Sequence, residues 1–155
     1  GDVNGDGRLD IITGAGAGGA PHVKAFDAIS GNELLSFMAY DSSFLGGIFV
    51  AAGDLYSNGS TQIVTGTGFG GAAHVKIFES RTLAELHSFY AYDAAFIGGV
   101  RVGLTDRNND GIMDVATGAG PTGGPHVKIF DGNNFELIDS FFLVDPSDIA
   151  GVFTS

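Results

Sequence analysis

Short runs of alternating apolar and polar residues, each closed by glycine, asparagine or serine, recur along the chain. In its first third the runs are Leu9 to Ala15, His22 to Asp27, Leu34 to Asp41 and Gly47 to Gly53. The first two keep period two and are rich in β-branched or aromatic residues. Val23 and Ala25, for example, alternate with His22, Lys24 and Phe26. Such alternation places the two residue sets on opposite faces of a strand. Between the runs stand GAGAGGAP, SGNE and SFLGG, all turn-forming. A helix competes over Thr82 to Phe96, which lacks glycine. Its counterparts GNELLSFMAYD and NNFELIDSFFLVD carry Gly, Asn and aromatic clusters, so a strand fits all three stretches better.

Shifted by 52 positions, the chain aligns with itself without a gap, giving repeats 1–52, 53–104 and 105–155. The positions of Asp2, Gly7, Thr13, Gly14, Gly16, Gly19, His22, Val23, Lys24, Phe26, Ser36, Phe37, Asp41 and Gly47 are filled identically in all three. Four strands per repeat, joined by tight loops, match a β-propeller blade. A solenoid would need shorter repeats and parallel rungs. The predicted fold is therefore all-β: one propeller module over 1–155, with four-stranded antiparallel blades.

Composition narrows the class. A hydrophobic fraction of 44% excludes intrinsic disorder. The absence of cysteine removes disulfides, thiolate zinc sites and cysteine nucleophiles. A net charge of −11 repels phosphate backbones and anionic membranes, which argues against nucleic-acid or membrane partners. No apolar run approaches the ~20 residues that span a bilayer. The chain opens on Gly1 rather than Met, which reads as a processed chain, an excised fragment or an engineered sequence.

The candidate chemistry lies in the aspartate loops. Asp2, Asn4, Asp6 and Asp10 put side-chain oxygens at positions 1, 3, 5 and 9 of a tight loop, with the main-chain carbonyl of Arg8 at position 7. Calcium takes six to eight hard oxygens, and alternate residues of a tight loop supply them. The third repeat keeps the set as Asp106, Asn108, Asp110, the carbonyl of Ile112, and Asp114. The second offers Asp54, Tyr56, Asn58, Ser60 and Gln62, one carboxylate in place of three, so its affinity falls steeply. No bidentate glutamate stands at position 12, which excludes an EF-hand.

DVNGDGRLDIITG and DRNNDGIMDVATG resemble the FG-GAP/VCBS-type repeat, and Gly18-Gly19-Ala20-Pro21 resembles the tail of its signature. The resemblance implies a propeller of the kind found in integrin α-subunits, with calcium loops between the first two strands of each blade. The ten loop residues above, Asp2 to Asp10 and Asp106 to Asp114, match the family's ligand positions. An extracellular or cell-surface location follows from the same resemblance.

Other candidates read as structural. His22, His74 and His126 sit on separate repeats, as strand histidines bonded to a neighbouring loop. Lys24, Lys76 and Lys128 share their strand face, and Asp41, Asp93 and Asp145 cap turns. No phosphate loop and no nucleophile motif occurs, so no enzyme is expected. The expected role is a calcium-binding scaffold, with a lectin-like carbohydrate-binding propeller as the alternative.

Assembly completes the reading. Each run after a Gly-Gly pair leads into an aspartate loop, so it should be the innermost strand of the next blade. The first repeat lacks that strand, and Gly151 to Ser155 supplies one without a following loop. Propellers carry about 4–8 blades, so two chains head to tail would close a ring of about six. A trimer of about nine is the lesser variant.

Overall fold

The computed structural model describes residues 1–154. The first sheet contains β1 (Ile11–Gly14), β2 (His22–Phe26) and β3 (Glu33–Met38). The second contains β4 (Ile48–Gly53), β5 (Gln62–Thr67), β6 (His74–Glu79) and β7 (Glu85–Tyr90). The third contains β8 (Val100–Thr105), β9 (Asp114–Ala119), β10 (His126–Phe130) and β11 (Leu137–Phe142). Every pairing is antiparallel between chain neighbours, so each sheet is a meander of blade form. The stretch in which a helix competed contains β7.

Repeat and sheet boundaries are offset as the glycine pairs predicted. All of β4 but its last residue belongs to the first repeat, yet it pairs with β5 of the second, from Ile48↔Thr67 to Gly53↔Gln62. The first sheet consequently has three strands and the other two have four. The same register shift recurs in all three sheets, between Ala25 and Phe26, Ile77 and Phe78, and Ile129 and Phe130. A bulge at this point adds local twist to the outer hairpin.

The predicted strand 151–155 is corrected: residues 151–154 form none, and Ser155 lies outside the described residues. A strand exists only through its ladder, and among the described residues no strand forms a ladder with this segment. It nevertheless occupies an inner-strand position. The Val152 N–H donates to the Ala119 carbonyl (2.9 Å), as the Ile48 N–H does to the Ala15 carbonyl (2.9 Å). Gly14, Gly66 and Gly118 explain the approach. A Cβ on Gly66 or Gly118 would strike the carbonyl of Val100 or Val152, and one on Gly14 would crowd that of Ile48, so each glycine lets the following inner strand lie close.

The core sits between sheets. Val23, Ala25 and Ala39 of the first repeat pack with Ile48, Ile63 and Phe78. One repeat on, Val75, Ile77 and Ala91 pack with Val100, Val115 and Phe130. Equivalent aromatic pairs cross each seam, Phe37 on Phe78 at 5.0 Å and Phe89 on Phe130 at 4.8 Å. Each seam also carries a tyrosine clamp. The Tyr40 hydroxyl donates to the carbonyls of Thr65 (3.1 Å) and His74 (2.8 Å). The Tyr92 hydroxyl does the same to Thr117 (3.1 Å) and His126 (2.7 Å). Burial raises both phenols, Tyr92 to about 12. The third repeat has Val144 at this position, exposed along with Phe141 and Leu143.

Candidate metal centre

The three aspartate loops lie at one end of the sheets. Residues 2–10 precede β1, residues 54–61 join β4 to β5, and residues 106–113 join β8 to β9. The glycine after position 5 turns the chain in each loop, with φ of 84° at Gly7, 79° at Gly59 and 85° at Gly111. Only glycine holds that left-handed conformation at no steric cost.

Position 1 builds the loop. Asp2 Oδ1 accepts the amides of Gly5 (2.6 Å) and Asp6 (3.2 Å), and Oδ2 accepts that of Gly7 (2.8 Å). These bonds, with Gly7 the foremost, hold its carboxyl below the ordinary range. Asp54 in the degenerate loop accepts Asn58 N–H (2.9 Å) and Gly59 N–H (2.7 Å). Asp106 accepts Asp110 N–H and Gly111 N–H, both at 3.2 Å. The aspartate recurs even where the rest of the set is lost because the turn itself needs it.

Position 9 is a strut. The side chains of Asp10, Gln62 and Asp114 are buried, and each accepts the N–H of position 2: Val3 (2.9 Å), Leu55 (2.8 Å) and Arg107 (2.8 Å). A glutamine oxygen does this as well as a carboxylate, which accounts for Gln62. The second oxygens differ. Asp114 Oδ1 accepts the Gly132 N–H (3.0 Å), whereas Asp10 Oδ1 is buried with no hydrogen-bond partner among the described residues.

The exposed positions 3 and 5 are engaged locally. Asn4 Oδ1 accepts Asp6 N–H and Asp6 Oδ1 accepts Arg8 N–H, both at 2.9 Å. Asn108 Oδ1 accepts Asp110 N–H (3.0 Å) and Asp110 Oδ1 accepts Ile112 N–H (2.8 Å). Arg8 is exposed and Ile112 half-buried. Among the described residues, no three carboxylates or imidazoles converge closely enough to hold a metal ion as arranged. The loop oxygens are instead turned onto backbone amides.

Two further residues join the third loop. Asn108 Nδ2 donates to Asp131 Oδ2 (3.2 Å), and Asn133 Nδ2 donates to Asp110 Oδ2 (3.3 Å). Glu79 stands at the same repeat position as Asp131 and accepts Ser60 Oγ–H (2.8 Å). Acidic residues at 27, 79 and 131, spaced by the repeat, are the sequence signal for this neighbour.

The histidines are structural, though their partners lie on strands rather than loops. Nε2 of His22, His74 and His126 meets Oγ of Ser36 (2.7 Å), Ser88 (2.6 Å) and Ser140 (2.8 Å), respectively. Asp41, Asp93 and Asp145 accept the amides of Ser43, Ala95 and Ser147 at 2.8–2.9 Å, as turn caps do.

Three antiparallel sheets of blade form, each with an acidic turn at the same end, fit a propeller-type fold. Residues 1–29, which hold the first loop and β1 and β2, match the FG-GAP repeat family. No curated protein matches the chain.

Proposed function

We propose that this chain is a non-catalytic calcium-binding propeller module acting as an interaction scaffold. The observation carrying the calcium reading is the Asp10 Oδ1, a buried carboxylate oxygen without a donor among the described residues. Leaving such a group unpaired is costly, and a cation is the partner an all-oxygen loop would take. Asp2, Asn4, Asp6, the Arg8 carbonyl and Asp10 would hold one ion. Asp106, Asn108, Asp110, the Ile112 carbonyl and Asp114 would hold a second. Calcium would supply one hub for oxygens now spread over backbone amides, and would offset part of the −11 charge.

Two ions per chain are expected by calorimetric titration, and one after Asp110→Ala. At a hundredfold excess over Kd, each independent ion adds about 2.7 kcal/mol to stability. Identical thermal unfolding in EDTA and in calcium would sink the reading.

The scaffold is proposed to close by pairing of two copies. β1 offers an unpaired edge, and residues 151–154 of a second copy have the pattern and position of the inner strand that β5 and β9 each receive. Light scattering should give about twice the 15.9 kDa chain mass, and deleting residues 151–155 should abolish the dimer. A compact monomer at high concentration would overturn the pairing.

A further inference from the structure

At the opposite end of the inner strands from the aspartate loops lies a cleft of about 250 Å³. Glycines 16, 46, 68 and 98 leave it unfilled, and Phe49, Phe69 and Pro121 give it apolar walls. Arg101 is the single charged residue among those lining it. The same strand position is Phe49 one repeat earlier and Phe153 one repeat later. Arg101 is 6% exposed, and its guanidinium lies over both rings, 5.3 Å from the Phe49 centroid and 3.9 Å from that of Phe153. The guanidinium N–H groups lie in its own plane, so contact with the rings leaves them to find acceptors elsewhere. Nη1 donates to the carbonyls of Ala119 (3.3 Å) and Val152 (3.2 Å). Nε is buried without an acceptor, and no carboxylate pairs with Arg101 among the described residues.

We infer that this cleft receives one carboxylate, taken by the free Nε edge of Arg101. A carboxylate matches a guanidinium edge with two parallel hydrogen bonds, and the apolar walls strengthen the pair. The Phe153 side chain, 77% exposed and 3.9 Å from the guanidinium, swings aside to open the Nε edge while its backbone keeps its place. The volume lies below the roughly 300–1,000 Å³ of drug-sized sites. It therefore suits an acidic side chain or a small organic acid rather than a large cofactor.

The test follows the side-chain Nε–H signal of Arg101 by NMR, assigned with Arg101→Lys. Acetate should shift it saturably, while acetamide, its neutral isostere, and chloride at equal ionic strength should not. Arg101→Met should abolish the accompanying shifts of the amides at 46–49, and Arg101→Lys should weaken binding several-fold. A glutamate-containing tripeptide with blocked ends, compared with acetate, separates a peptide source from a free acid. No saturable response in the unaltered protein, or an equal response to acetamide or chloride, overturns the inference. Titration with and without EDTA keeps this outcome separate from the fate of the calcium reading.

Discussion

β1 and β5 are nearly the same strand in sequence, Ile-Ile-Thr-Gly against Ile-Val-Thr-Gly at equivalent positions, yet they live in different surroundings. Ile11 is 55% exposed, whereas its counterpart Ile63 is fully buried. Thr13 is exposed, whereas Thr65 is buried. Ile63 is covered because Val23, Ala25 and Ile48 of the previous repeat pack against it. No preceding sheet covers Ile11 in the chain as described. Burial in this architecture is thus supplied by the neighbour, and stability is a sum over seams rather than over strands.

The largest expected effect tests that contrast directly. Ile63→Ala should cost about 2–5 kcal/mol in denaturant unfolding, through lost contacts and the cavity left behind. Ile11→Ala should stay within about 0.5 kcal/mol in the isolated chain, and should approach the Ile63 cost where a second copy closes on β1. Equal costs would mean that another sheet covers β1.

Next in size come the loop struts. Asp10→Ala should cost about 1–3 kcal/mol, because it orphans the buried Val3 N–H. Asp10→Asn keeps that acceptor, so it should spare most of the apo stability while weakening calcium binding at the first loop. Paired thermal melts with and without calcium separate the two roles. Tyr92→Phe should cost about 1 kcal/mol, since it removes a hydroxyl shared by two carbonyls across the second seam. Valine already stands at this position in the third repeat, so Val144→Phe should change monomer stability by much less.

The smallest expected effect is a pH dependence. Burial, and then the neighbouring lysine, hold His74 and His126 below their ordinary value of 6.5. The folded chain therefore binds fewer protons than the unfolded chain just below that value. Stability should be full above pH 6.5 and fall as pH drops through it toward the lowered folded values. A double His74→Gln, His126→Gln variant should flatten this part of the profile in melts across that range.

Much of the fold was legible because its signals are local. Period-two runs and glycine-rich turns mark the strands, and the Gly46-Gly47 pair marks where one sheet gives way to the next. The 52-residue self-match multiplied each weak signal by three. The site was less legible. Loop spacing reads Asp10 and Asp114 as ligands, whereas their first task is to accept the position 2 amide. Such a bond depends on how the loop folds back, which residue spacing does not reveal. Asp131 reaches the third loop from the next hairpin, and its signal lies in a comparison of repeats rather than in the motif. Arg101 was likewise visible only as the odd residue between Phe49 and Phe153.

The offset between repeat and sheet has a consequence for how such chains can be cut and recombined. The segment 53–104 is one copy of the repeated text, but excised alone it would carry β5 to β7 without β4, and β8 without a sheet. The segment 47–98 carries β4 to β7, one intact sheet with its hairpins. Shuffling blades between related chains should therefore succeed when the joints fall at the Gly-Gly pairs and fail when they fall at the aspartate loops. In this chain the unit that was copied is not the unit that can be transplanted.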